Sequence, residues 1–215
     1  VLPLGKGLRI ERDGDMRWLV VDLTPSQLWP RLREFWQAYG LGLKVDSPAK
    51  AVMETEWQNS SVGGPGGLLG ALSSVYNASK KDKYRIRLEP ASGGGTELYL
   101  SHYGIEEVVA AEENENITTA WNPRPSDLEV ANELLNHIIV FLGNKEKQAR
   151  AAMADKGKSK PARSWLDGEK IMVNEGFART WRRLGIALGR LGLVVEDRDR
   201  SRGIYYVSKV DQLAN

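Results

Sequence analysis

The 215-residue sequence predicts an α+β fold in which amphipathic helices lie on one face of an antiparallel sheet, and it predicts that arrangement twice. Three observations carry the prediction. A strand, a helix and a glycine-punctuated turn recur at a fixed spacing. Short β-rich runs separate the first helix from a later one. The apolar residues of both helices fall on single faces.

The repeat comes first. Val21 to Gly40 and Val173 to Gly192 align without gaps at an offset of 152, from 21 to 173 and from 40 to 192. Trp29, Arg31, Leu32, Gly40 and Leu41 recur as Trp181, Arg183, Leu184, Gly192 and Leu193. In the first copy, Trp18 to Leu23 is a β-rich run bounded by turn residues. Thr24 and Gln27 have capping-box spacing, with Pro25 at the first helical position; Pro30 pulls the expected start toward Ser26, since a deeper proline forfeits a backbone bond. Leu28, Leu32, Phe35, Trp36 and Tyr39 share a helical face, and Gly40 ends it.

Strands follow at Leu41–Ser47 and Ala51–Trp57, then at Tyr84–Glu89 and Thr96–Tyr103, with a further one at Glu106–Val109. In the run from Tyr84, apolar residues alternate with Arg85, Arg87 and Glu89, as in a strand with one wet face. Between these runs, Gln58 to Lys83 contains Gly63-Gly64-Pro65-Gly66-Gly67 and reads as a mobile loop. A last helix begins at Ser126, with Glu129 completing a capping box; Leu128, Ala131, Leu135, Ile138 and Leu142 form its stripe, and Gly143 stops it. Two helices on one antiparallel sheet in this order is the helix-grip arrangement.

The second copy offers a strand at Lys170–Asn174, a helix around Phe177–Leu191, and strands at Leu193–Asp197 and Gly203–Lys209. It lacks the remaining strands and the closing helix, so alone it would expose a sheet edge. The expected domains are residues 1–143, an exposed linker at 144–163 that is rich in Ala, Lys and Gly and helical where Ala is dense, and a partial second unit at 164–215.

Composition excludes several chemistries. There is no Cys, hence no disulfide, thiol nucleophile or thiolate zinc site. The two histidines, His102 and His137, stand on a strand and off a helix stripe, where a structural or solvent-facing role outweighs a catalytic one. Glu106, Glu107, Glu112, Glu113 and Glu115 lack calcium-loop spacing and read as a solvated loop. Gly63 to Gly70 has no following Gly-Lys-Ser/Thr, so it is no phosphate loop. Residues 1–143 carry 14 basic and 19 acidic side chains, and residues 144–215 carry 16 and 9, giving −5 and +7. Arg182, Arg183, Arg190, Arg198, Arg200 and Arg202 supply much of the second value, without a nucleic-acid motif or stacking aromatics beside them. Neither catalytic residues, a metal site nor a cofactor is expected.

Of the seven tryptophans, Trp29, Trp36 and Trp181 fall on helix stripes, whereas Trp57, Trp121 and Trp165 fall at element ends or loops. Trp57 and Trp121, with Arg124 in the segment Trp121-Asn122-Pro123-Arg124-Pro125, are the candidate partner surface, because exposed Trp and Arg are the usual interface anchors.

Several segments together resemble the BamC (NlpB) family of outer-membrane protein assembly lipoproteins. They are Arg12-Asp13-Gly14 followed by Arg17-Trp18-Leu19-Val20-Val21; Leu28-Trp29-Pro30 with Phe35-Trp36 and Gly40; Met53-Glu54-Thr55-Glu56-Trp57; Asp82-Lys83-Tyr84-Arg85-Ile86-Arg87; and His102-Tyr103-Gly104. The resemblance implies a lipid-anchored protein of the Gram-negative outer membrane, facing the periplasm with surface exposure left open. It also implies two helix-grip domains, and BamD and BamA as protein partners, BamD through an N-terminal unstructured segment. The sequence departs from that pattern in having no lipidation Cys, no such N-terminal segment, and a short second domain. The function so implied is that of a non-enzymatic accessory scaffold of the outer-membrane β-barrel assembly (BAM) machinery. The alternative is a helix-grip binder of a small molecule or lipid, which the bulky Leu28, Phe35, Trp36, Leu98 and Leu100 disfavour by filling the interior. From the element count, residues 9–143 are expected to fold alone and residues 163–215 are not; a cooperative thermal transition in the isolated 163–215 fragment would contradict this.

Overall fold

The computed structural model describes residues 3–4, 7–13, 16–60, 79–91, 93–113, 116–144, 146–154, 164–191 and 193–209. The loop expected between Gln58 and Lys83 lies largely outside them, at residues 61–78. In chain order the first unit contains β1 (Pro3–Leu4), β2 (Leu8–Asp13), β3 (Met16–Val21), α1 (Pro25–Ala38), β4 (Leu43–Ser47), β5 (Val52–Thr55), β6 (Gln58–Asn59), β7 (Lys80–Pro90), β8 (Thr96–Glu113), β9 (Asn116–Arg124), α2 (Leu128–Phe141) and α3 (Glu146–Ala154). There follow β10 (Ser164–Asp167), β11 (Lys170–Val173), α4 (Phe177–Arg190), β12 (Leu193–Asp199) and β13 (Ile204–Lys209).

The first nine strands make one antiparallel sheet in the order β1-β2-β3-β8-β7-β5-β4, with β6 added along β7 and β9 along β8. Its centre is the β7–β8 hairpin, whose register runs from Lys80↔Glu106 to Pro90↔Thr96. Side chains alternate across a strand, so even-numbered residues of β7 and β8 face one way and odd-numbered ones the other. Tyr84, Ile86, Leu88, Leu98 and Leu100 face α1 and α2, joining Leu28, Leu32, Phe35, Trp36, Leu134 and Ile138 in one buried core. The space between helices and sheet is filled by these side chains.

Local chemistry sets the ends of α1. Thr24 Oγ1 accepts from the Gln27 amide at 3.3 Å while Gln27 Oε1 accepts from the Thr24 amide at 3.0 Å, closing the capping box. The helix therefore begins at Pro25 and not nearer Ser26. Pro30 lies inside it on the exposed side, where water can meet the carbonyl it leaves unbonded. At the other end Gly40 has φ +68°, Leu41 N–H donates to Trp36 O at 2.9 Å and Gly40 N–H to Gln37 O at 3.0 Å, the paired bonds of a Schellman stop. Gly143, with φ +101°, ends α2 in the same way.

Several expectations need correction. The N-cap of α2 is Asp127, whose carboxylate accepts from the Glu129 and Val130 amides, and not Ser126. Thr96–Tyr103 and Glu106–Val109 belong to a single strand, β8. Glu106, Glu107, Glu112 and Glu113 stand on that strand and not in a loop; Glu115 lies outside the described residues. The segment holding Trp121 and Pro123 is strand β9, and it tolerates Pro123 because, among the described residues, it pairs on one side only, with β8. Residues 8–13, which no strand was assigned, form β2. His137 is buried, at the side of the α2 stripe, near Glu133 and the Tyr39 ring. Of the expected linker, residues 146–154 form the helix its Ala density suggests, α3, but it is not exposed throughout: Ala149 is part of the core.

The duplication shows in the helices. α1 and α4 span residues 25–38 and 177–190, again an offset of 152, and Trp29 and Trp181 are both buried. Around α4, however, the strands form two separate hairpins, β10–β11 and β12–β13. Trp165, expected in a loop, is on β10 and 53% exposed.

Leu98 lies at the centre of the core, so Leu98→Ala is expected to cost about 2–5 kcal/mol. Val109, 62% exposed on the same strand, should tolerate Ala within about 0.5 kcal/mol. Urea midpoints at constant m-value check both.

Candidate functional site

The three candidate anchors separate across the sheet. Trp57, just after β5, and Trp121, opposite Glu107 on β9, both pack on buried Tyr103 and Ile105 on the face turned away from α1 and α2. Lys81 Nζ lies 4.2 Å above the Trp121 ring and Lys83 Nζ 4.8 Å above the Trp57 ring, so each half-buried indole carries a cation. Arg124 pairs in register with Gly104, an even position, and therefore points to the helix face. A Cβ at Gly104 would fall 2.5 Å from Arg124 Nε; the glycine makes room for the guanidinium.

On that face Arg124 joins a buried polar chain. Its guanidinium pairs with Asp82, and His102 Nε2 lies 2.9 Å from the same carboxylate oxygen. His102 Nδ1 accepts the Asp127 backbone N–H at 2.9 Å, which places the ring proton on Nε2, donating to Asp82. Asp127 then caps α2. Arg124, Asp82, His102 and Asp127 thus fasten the second helix to the central hairpin, and His102 has a structural role. Burial alone would raise the Asp82 carboxyl above its ordinary 3.8; the His102 hydrogen bond and the Arg124 charge outweigh it, and the pKa is lowered.

The opposite face of the hairpin carries a second polar system. Lys83, Arg85, Arg87, Glu89, Glu97 and Tyr99 occupy odd positions there. The expectation of a solvated face fails, because α4 packs against β8 and β12 reaches Arg85 and Glu89. Gly185 and Gly189, one turn apart, let α4 lie flat on the sheet, with Gly185 over Arg87 and Gly189 near Ser101 and Tyr103. Glu54 accepts from Lys83 Nζ at 2.9 Å and from Arg85 Nε at 2.6 Å, with side-chain exposures of only 5%, 3% and 12%. Arg198 Nη1 donates to Glu89 at 2.8 Å, Arg85 Nη1 to Val195 O at 2.7 Å, and Arg182 Nε lies 3.5 Å from Glu97. Arg183 binds Glu175 within its own unit at 2.8 Å. Arg182, Arg183 and Arg198 are therefore engaged with protein carboxylates. Sequence reading missed this seam, although two signals were present: cations at every second position from Lys81 to Arg87, and glycines four apart in α4.

Among the described residues no group of three or more His, Cys, Asp or Glu is placed to hold a metal, and no helix is long and apolar enough to cross a membrane.

The Asp82 network gives a signed pH prediction. A lowered folded pKa adds stability that is complete above the unfolded value of about 3.9 and is lost as pH falls through the folded one. Asp82→Asn leaves Arg124 without its counter-charge and should cost roughly 3 kcal/mol at neutral pH. Chemical denaturation at about pH 7 and pH 3 is expected to show a smaller deficit in acid, where the wild-type carboxylate is itself being protonated; an equal deficit at both would contradict the assignment.

Two family models cover the chain. The outer membrane protein assembly factor BamC-like N-terminal domain matches residues 1–156, and the corresponding C-terminal domain matches residues 167–212. The chain is 41% identical over 218 residues to an outer membrane protein assembly factor BamC of Thiobacillus denitrificans, covering 98% of this chain and 59% of that protein. It is 41% identical over 222 residues to the BamC of Accumulibacter regalis, covering 98% and 57%. An uncharacterized protein of Neisseria meningitidis serogroup B is 34% identical over 224 residues, covering 100% and 56%. The chain thus spans less than two thirds of the length of these relatives. By the extent of both matches, it belongs to the outer membrane protein assembly factor BamC-like family.

Proposed function

We propose that the protein is a non-catalytic accessory component of the BAM machinery, acting through protein–protein contact at the outer membrane. Family membership supports the setting. The observation that carries the mode of action is the Trp57–Trp121 ledge. Two half-buried indoles, each under a lysine, pack on the same buried pair, Tyr103 and Ile105, on one face of the sheet. Large aromatic surface held at low entropic cost is what a binding hot spot requires. Its neighbour β8 continues past the end of its pairing with β7, paired among the described residues with β9 alone, and bears the exposed Glu107 there. A charge at such a place discourages indiscriminate edge pairing and leaves recognition to specific side chains.

In this reading Trp57 and Trp121 contact the partner, and Arg124 supports them from the other face by holding β9 to Asp82. The partners proposed are BamD and BamA. The protein is placed at the periplasmic side of the outer membrane, held there by an N-terminal lipid anchor of the full protein. The two-unit arrangement is read as tandem helix-grip domains, with a boundary between α3 and β10.

The test uses the full-length, acylated protein and the purified remainder of the assembly complex. Trp121→Ala is expected to weaken binding by about 2 kcal/mol, roughly thirtyfold, while melting within a few degrees of wild type. Arg124→Ala should lower the melting temperature as well. Undiminished binding by both Trp57→Ala and Trp121→Ala would remove the ledge from the proposal.

A further inference from the structure

The seam between the sheet and the second unit is not charge-balanced. Glu54 is shared by Lys83 and Arg85, and Glu89 by Arg87 and Arg198, so four cations stand on two carboxylates. Their side chains are 3–24% exposed, which leaves the excess charge little water to stabilise it. Arg87 Nε, 3.4 Å from Glu89, and Arg87 Nη2 have no hydrogen-bond partner among the described residues. Burial, followed by the nearby Arg87 charge, depresses the Arg198 guanidinium below its ordinary value.

These arginines border a crevice of about 350 Å³, walled on its apolar side by Tyr99, Tyr103, Ile186 and Val195 and opening beside Lys50. Glu196 and Asp197, also at its border, are exposed; Glu196 accepts from Ser208, and Asp197 accepts from the Arg198 amide. The four-to-two ratio of these pairs leaves an excess of two positive charges, opposite in sign and close in magnitude to the charge of a phosphate group near neutral pH. Guanidinium forks match phosphate oxygens in geometry as well as charge.

We propose that this crevice is a phosphate-binding site, in which Arg87 and Arg198, with Arg85 beside them, hold the oxyanion of a phosphate or phosphate ester. The arginines come from β7 in the first unit and β12 in the second, so an occupied site ties the two together. The crevice exceeds a bare phosphate, and its aromatic wall accepts the apolar part of an ester.

The experiment titrates inorganic phosphate into the full chain by calorimetry at fixed ionic strength, with chloride as reference. Saturable binding at one site is expected. Arg198→Gln should weaken it about tenfold, the loss of one charge-assisted contact. Glu89→Gln should tighten it, because the competing carboxylate is gone, although this variant is less stable without ligand. Opposite signs from two neighbouring substitutions cannot arise from general destabilisation. In a second arm, vesicles of phosphatidylglycerol are compared with phosphatidylcholine. Binding to either vesicle with the same dependence on Arg198 and Glu89 identifies a lipid headgroup as the source, whereas binding of inorganic phosphate alone identifies a free phosphate. No binding in either arm, or binding that both substitutions leave unchanged, overturns the proposal.

Discussion

The rest of the structure depends on the register of β7 against β8. Tyr84 faces His102, Ile86 faces Leu100 and Leu88 faces Leu98, which directs Tyr84, Ile86, Leu88, Leu98 and Leu100 toward the helices. A slip of β7 by one residue would turn Arg85 and Arg87 into that core and expose Ile86 and Leu88. The same register places Asp82 beside His102 and Gly104, so the chain that fastens α2 forms only when the hairpin is correctly paired. Sheet pairing and helix docking are therefore one cooperative event, with specificity supplied by buried polar groups that have a single satisfactory arrangement.

The two faces of the hairpin solve different problems. On the helix side, apolar volume does most of the work, and the Asp82 cluster decides where α2 begins. On the other side, charge does the positioning. A buried carboxylate shared by two cations resists removal of any one member, since the remainder would be left uncompensated in a dry environment. That arrangement holds Lys83 in place over Trp57, so the aromatic ledge inherits its rigidity from the ion pairs beneath it.

Much of this was legible in the sequence, and the rest was illegible for identifiable reasons. Thr24, Gln27, Gly40 and Gly143 mark helix ends because capping is local chemistry, readable within a few residues. The duplication was visible because equivalent helices kept their spacing. β9 was obscured by Pro123, which argues against a strand until its partner is known to lie on one side only. The alternation along β7 predicts a polar face but not what meets it; Arg198 arrives from 109 residues away. Trp57 and Trp121 are 64 residues apart, and only cross-strand neighbours bring them to one face, while Arg124, near in sequence, is sent to the opposite face by its even-numbered partner.

The paired helices α1 and α4 show how one sequence pattern can be put to two uses. Leu32 of α1 is fully buried against the sheet, whereas its counterpart Leu184 in α4 is 42% exposed. What α4 buries instead is a ridge of small residues, Gly185 and Gly189, which brings its backbone close to Arg87, Ser101 and Tyr103. A bulky side chain at Gly185 would collide with the Arg87 guanidinium and the Tyr205 hydroxyl, so the glycine is demanded by the neighbouring charge and not by backbone conformation. Trp181, by contrast, keeps the buried role of Trp29 but stacks on Tyr205 of its own unit, with ring centroids 4.0 Å apart. The tryptophan thus stabilises the second unit internally while the glycines dock it. Because these tasks fall on different sides of one helix, the docking surface could change from apolar to close-packed and ionic without dismantling the unit that carries it.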